Sequence, residues 1–216
     1  MSISANIYSR LPDALFDTVF SDRHMQFMSR HKWDLCATPE GYEIDEYDGY
    51  GTEYLVVHSN GNHLTSCRLR PFALSTMLLD HFSDVFPAAR SFVRSQPGHL
   101  YELSRYLRAP SLTVRQGTAA QMAFANALDR FRDDREVTGF LAVVYPEVSR
   151  FLRQSGVRFL IIGASVINGH RIEMICITQA VAGSRLRDRQ QVFAQSNSGP
   201  RPMSGRVYAT EHSIPA

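Results

Sequence analysis

The side chains that could do chemistry fall into three short stretches and one isolated ring. Glu43, Asp45 and Asp48 come first, Arg68 and Arg70 follow on a second stretch, and Glu102, Ser104 and Arg105 on a third; Trp33 is the chain's single tryptophan. Neighbouring carboxylates attract a cation and can raise one another's pKa, which is how a side-chain base is made. Guanidinium groups grip carboxylates through paired N–H donors. An indole can lie over a cationic ligand. Together these types fit a small molecule that is cationic and zwitterionic. Each also has a plainer role: solvated loop acids, an arginine-bearing sheet edge, an ordinary core tryptophan.

Other chemistries lack their residues. The eight histidines include no His-x-x-x-His and the three cysteines no Cys-x-x-Cys, so no metal site is expected. Gly-x-Ser-x-Gly and the glycine-rich phosphate loops are missing, and Ser104 has no histidine at motif spacing.

The elements that must position these groups read as an α/β pattern. Pro12 to about Lys32 has roughly helical apolar spacing. Glu53–His58 and Asn62–Arg70 form a hairpin about Asn60-Gly61, ended by Pro71. If residues 43–45 are extended, Glu43 and Asp45 share a face; Arg68 and Arg70 share one likewise. Ser75–Val85 reads as a short helix and His99–Leu107 as a strand on which Glu102 and Ser104 alternate with Leu103 and Arg105. A mid-strand glutamate facing inward needs a partner, either Arg68 or a ligand. Thr118-x-x-Gln121 reads as a capping box for a helix through Phe131. Gly139–Tyr145, Val157–Gly163 and Ile172–Thr178 read as strands, and Glu147–Gln154 as a helix opened by Pro146 and closed by Gly156. Strands broken by helices argue for one domain around a mixed sheet.

Composition sets the class. With 216 residues and 44% hydrophobic content, the chain can bury a sizeable core. A net charge of +2 does not argue for nucleic acid, and from Arg185 onward five arginines face one Asp and one Glu, so residues 184–216 read as a basic, flexible tail. Cys36, Cys67 and Cys176 read as buried thiols in a reducing compartment. No signal segment or membrane span is expected, and cytoplasmic placement follows.

The ordered series Arg23, Phe27, Trp33, Glu43-x-Asp45-x-Tyr47-Asp48, Tyr54-Leu55, Arg68-Leu69-x-Pro71, Met77-Leu78, Phe82 and Glu102-x-Ser104-Arg105 closely resembles the acyl-homoserine-lactone synthases, the autoinducer synthases of quorum sensing. The resemblance runs from about residue 22 to 105, and more weakly to 156. It implies an N-acetyltransferase-like α/β domain over residues 1–183, with a mixed sheet, a V-shaped cleft flanked by helices and an N-terminal lid over about residues 1–35.

It implies two substrates, S-adenosylmethionine and an acyl thioester on acyl carrier protein or coenzyme A, with no cofactor, no nucleic acid and no membrane. The methionyl amine would attack the thioester, and the methionyl carboxylate would then displace the sulfonium and close the lactone. Glu102 is the preferred base and Glu43 its competitor, with Arg68, Ser104 and Arg105 organising the reaction. Arg23, Phe27, Trp33, Asp45 and Asp48 would hold S-adenosylmethionine. Arg150, Arg153 and Arg158 would meet an acidic carrier. Ala142 and Val144 fall where relatives making 3-oxo products carry threonine, so an unsubstituted or branched acyl chain is expected.

Two departures stand out: Arg70 and Phe72 in place of Leu and Thr, and Thr65 in place of a small glycine. The extra arginine and large ring are expected to bear on donor choice. The alternatives are an N-acyltransferase of the same fold acting on another amine, and a non-catalytic acyl- or nucleotide-binding regulator.

Overall fold

Asn60 and Gly61 both take positive φ (50° and 78°), the geometry of a two-residue hairpin turn matched to strand twist. They join β2 (Glu53–Ser59) to β3 (Asn62–Pro71). The computed structural model describes residues 2–96 and 98–180. The remaining elements are β1 (Ser4–Tyr8), α1 (Asp13–Arg23), α2 (Met77–His81), α3 (Ala88–Ser95), β4 (His99–Arg108), α4 (Val114–Asp134), β5 (Val137–Val144), α5 (Pro146–Gln154), β6 (Arg158–Ile167) and β7 (His170–Gln179). A π-helical segment, His24–Arg30, continues α1. The expected division at residue 183 and the basic tail lie outside the described residues.

The strands form one mixed sheet of order β1-β2-β3-β4-β5-β7-β6, with β4 and β5 the parallel pair. That pair is joined only from His99 opposite Val137 to Glu102 opposite Leu141. Beyond Glu102, β4 runs on beside β3 while β5 stays with β7 as far as Val144. The two strands therefore part in a V whose crotch is Glu102.

Alternation splits the core between the two faces. Leu55, Val57, Cys67, Leu69, Leu103, Phe140, Ala142 and Ile175 pack with Ala120, Phe124, Leu128 and Phe131 of α4. On the other face, Leu100, Leu141, Met174 and Cys176 pack against Leu78 of α2 and Ala89 of α3, while Val56 and Tyr54 meet Leu15, Val19 and Phe20 of α1. The result is a three-layer αβα arrangement.

Several expectations change. β1 was not apparent, because its apolar face amounts to Ala5 and Ile7. The helix expected over Ser75–Val85 is only α2, and a further helix, α3, follows Pro87. The capping box of α4 is Thr113 with Gln116, each side chain serving the other's end. Thr118 fits the same pattern but lies one turn inside, where its hydroxyl donates to the Val114 carbonyl. β6 extends to Ile167 because Asn168-Gly169 makes a second two-residue turn, with φ of 49° and 77°. Pro146 opens α5, and Gly156 (φ 84°) ends it with the Val157 amide donating to the Leu152 carbonyl. Cys67 and Cys176 are buried, but Cys36 is exposed.

One irregularity reorients β4. Between Arg68 opposite Ser104 and Ser66 opposite Leu107, β4 holds one residue more than β3, and Arg105 there takes φ of 52°. A bulge with a non-glycine residue in the left-handed region costs roughly 1–3 kcal/mol and re-aims the side chains around it. Simple alternation would place Arg105 on the α4 face and Tyr106 with Glu102. The bulge exchanges them.

Candidate active site

The polar site lies on the face of β3 and β4 that looks toward α1 and α2. Arg23, the last residue of α1, is 1% exposed; its Nε donates to Glu43 Oε2 (2.5 Å), and its two terminal nitrogens donate to the two Asp48 oxygens (2.8 Å each). Arg68, on β3 and as deeply buried, donates from Nη1 to Asp45 and from Nε to Ser104 Oγ (3.0 Å), with Asp48 Oδ2 3.2 Å away. Arg105, swung over by the bulge, donates from Nε to Glu43 Oε1 (3.0 Å) and from Nη2 to Asp45 Oδ2 (2.9 Å). Tyr54 donates its hydroxyl to Asp48 (3.0 Å). The loop holds its own shape: the Tyr47 amide donates to Asp45 Oδ1 (2.9 Å) and the Asp45 amide to Asp48 Oδ2 (3.0 Å).

Burial would raise the Asp48 and Glu43 carboxyls, but Arg23 with Arg68, and Arg23 with Arg105, outweigh it and hold both below the usual carboxylate range. Arg23 and Arg68, both raised by these acids, thus stay charged against ionised Glu43 and Asp48.

Glu102 is the fourth carboxylate and is treated differently. None of the three arginines is its hydrogen-bond partner. Its Oε2 accepts the Leu78 amide at the start of α2 (2.6 Å), and its Oε1 is buried with no protein partner. Burial raises its pKa, and the Leu78 amide, Arg68 and the Ser104 hydroxyl reverse only part of that rise. One donor in the same site is similarly left over, Arg68 Nη2.

Aromatic groups flank the acids on the side of the π-helical segment. Phe27, in the π-helical segment, lies under the Arg105 guanidinium (5.8 Å) and stacks on Trp33 (4.9 Å, 10°). Trp33 is half-buried against Phe27 and is not a core anchor. A π turn, a form frequent at functional sites, follows Arg23 and carries Phe27 to the Arg105 guanidinium.

Arg70 does not join this cluster. It donates to the carbonyls of Tyr50 (3.0 Å), Tyr47 (3.4 Å) and Ser75 (2.5 Å) and to Thr52 Oγ1 (2.7 Å). It pins the acidic loop and the approach to α2, and its buried guanidinium is not presented to a donor. The roles of Arg70, Tyr54 and the Leu78 amide were not apparent in the sequence, although an arginine inside an apolar strand was a signal that something polar lay against it.

The remaining candidates lie elsewhere. Ala142 and Val144 face the α4 side of the sheet, across the V from Tyr106. Arg150, Arg153 and Arg158 are exposed, on α5 and at the start of β6, with Arg153 over the Phe159 ring (5.4 Å). Among the described residues, no group of His, Cys, Asp or Glu could hold a metal ion, and no helix is long and apolar enough to cross a membrane.

The split mixed sheet has an N-acetyltransferase-like fold, similar to that of a putative N-acetyltransferase from Lactobacillus plantarum (TM-score 0.56, 15% identity, covering 84% of this chain and 100% of that one). The chain belongs to the autoinducer synthase family, which it matches over residues 7–185. It is 27% identical over 154 residues to the acyl-homoserine-lactone synthase of Pseudomonas amygdali pv. tabaci, a match covering 69% of this chain and 65% of that protein. In fold it is similar to the AHL synthase LasI (TM-score 0.69, 18% identity, covering 86% of this chain and 92% of that one). It is also similar to BjaI, a CoA-dependent acyl-homoserine lactone synthase solved with SAM and isopentyl-CoA (TM-score 0.67, 21% identity, 87% and 89% covered).

Proposed function

We propose that the protein is an acyl-homoserine-lactone synthase, joining an acyl group from a thioester to the amine of S-adenosylmethionine and closing the lactone with release of methylthioadenosine. The observation that carries this reading is the pair of leftover atoms. Glu102 Oε1 is an acceptor without a donor, and Arg68 Nη2 is a donor without an acceptor. An α-amino acid brings the two complements, an ammonium and a carboxylate. Three guanidinium groups against four carboxylates also favour a ligand with one net positive charge, which the sulfonium supplies.

The chemistry follows from that seating. Glu102 takes a proton from the ammonium, directly or through one water, and the freed amine attacks the thioester carbonyl. A carboxylate with a raised pKa is the better acceptor, because its basicity approaches that of the group it must deprotonate. The β4 amides past Glu102 have no β5 partner and are available to the oxyanion as the thiolate leaves. The methionyl carboxylate, gripped by Arg68, then attacks the carbon bonded to the sulfonium; that C–S bond breaks and methylthioadenosine departs. Phe27 and Trp33 close over the site and keep water from the thioester.

The donor is carried by acyl carrier protein or by coenzyme A, and the exposed arginines of α5 suit an acidic carrier. The reaction belongs in the cytoplasm, where both substrates are made. Incubation of the purified protein with S-adenosylmethionine and a panel of acyl thioesters tests the reading. Methylthioadenosine and an acylated lactone are expected; acyl transfer to another amine without methylthioadenosine would overturn it.

A further inference from the structure

The bulge that brings Arg105 to the acids sends Tyr106 to the opposite face. There its ring meets Phe124 of α4 nearly edge-on (5.1 Å, 69°) and packs against the same apolar cluster as Val144 and Leu152, a cluster that includes Ala142. The ring is partly exposed, while its hydroxyl oxygen is buried and makes no hydrogen bond of normal geometry, the Thr65 hydroxyl alone lying close enough to interact with it. The Thr65 hydroxyl gives its own proton to the Leu107 carbonyl (2.7 Å), so toward the phenol it has only lone pairs to offer. Burial raises the phenol's pKa, so the group is a neutral O–H donor that can also accept. A buried hydroxyl without a well-formed hydrogen bond works against folding, whereas phenylalanine would fill the same space without that cost. A tyrosine here is explained if something that enters the V completes its hydrogen bond.

We infer that Tyr106 is the polar anchor of the acyl pocket and that the acyl chain of the preferred donor carries a hydroxyl or keto oxygen for it to bind. This rests on the synthase reading above. It revises the expectation drawn from Ala142 and Val144, which lack a hydroxyl but stand on only one wall of the cleft. The opposite wall supplies one, from a residue that strand alternation alone assigns to the wrong face.

The test compares octanoyl, 3-hydroxyoctanoyl and 3-oxooctanoyl thioesters with wild-type protein and with Tyr106→Phe, following methylthioadenosine release. Wild type should favour at least one oxygenated chain over octanoyl in kcat/KM, and Tyr106→Phe should reduce that preference by about tenfold, the worth of one neutral hydrogen bond. The melting temperature of Tyr106→Phe should equal or exceed that of wild type, since the substitution removes an unsatisfied group. A wild-type preference for octanoyl, or a preference that Tyr106→Phe does not move, overturns the inference while methylthioadenosine release still upholds the synthase reading. No methylthioadenosine from any donor overturns both.

Discussion

Glu102 is a carboxylate kept against its own preference. Its neighbours Arg68 and Arg105 direct hydrogen bonds to Glu43, Asp45 and Ser104, leaving it one backbone amide and a buried free oxygen. Its folded pKa is raised, so ionisation is harder in the folded chain than in the unfolded one. The resulting penalty is absent below the unfolded pKa of about 4.3 and grows as pH rises toward the folded value. We therefore expect Glu102→Gln to raise the melting temperature at pH 7, with the gain fading toward pH 4, while turnover falls by about 10²–10⁴-fold and the KM for S-adenosylmethionine changes little. A loss confined to KM would remove Glu102 from the base role. Asp48 is the opposite case, because its stabilising charge is present at neutral pH and lost as pH falls through its depressed pKa. Asp48→Ala leaves Arg23 with Glu43 alone and Arg68 with Asp45 alone among their carboxylates, and should destabilise by about 3–5 kcal/mol in urea unfolding. The cluster's members were legible in the sequence from type and spacing. Their pairing was not, because Arg68 turns to the loop acids and Leu78 serves Glu102 through its backbone, which no side-chain pattern encodes.

The elements gain their positions from polar ties as much as from apolar faces. Asp22 of α1 lies 2.7 Å from His63 Nδ1, and His63 Nε2 lies 3.0 Å from Ser66 Oγ, a chain that fastens the end of α1 to β3. Arg70 does the same for the acidic loop and for the Ser75 carbonyl just ahead of α2, whose first turn holds Glu102. Replacing Arg70 with leucine leaves buried loop carbonyls without donors at about 1–3 kcal/mol each. Arg70→Leu should raise the KM for S-adenosylmethionine, lower kcat and speed amide exchange over residues 47–52. Unchanged exchange would mean that the loop holds its shape without the arginine. Asn60-Gly61 was readable because its turn chemistry is local. The bulge at Arg105 was not, since it answers a need three-dimensional in origin, that of turning one arginine toward acids some sixty residues earlier in the chain.

Across the molecule, the proposed reaction makes the V the place where both substrates would approach. β5 ends at Val144 and α5 begins at Pro146, so α5 stands at the open end of the cleft, with Arg150 and Arg153 exposed on it and Arg158 beginning β6 beyond. A donor carried on an acidic protein would meet those charges before its thioester reaches Glu102. Exposed charges act over about 8 Å at physiological ionic strength, and complementary ones raise association rates more than they tighten the final complex. Arg150→Glu combined with Arg153→Glu should therefore lower kcat/KM for a carrier-linked donor by tenfold or more, roughly the scale of steering effects. The loss should shrink as salt rises, because wild type loses its advantage to screening. A coenzyme A-linked donor has no protein surface to dock and should fall much less. Equal losses with both donors would place these arginines at the thiol-carrier entrance itself, and no loss with either would leave α5 as a solvated helix face, with the carrier meeting some other side of the cleft.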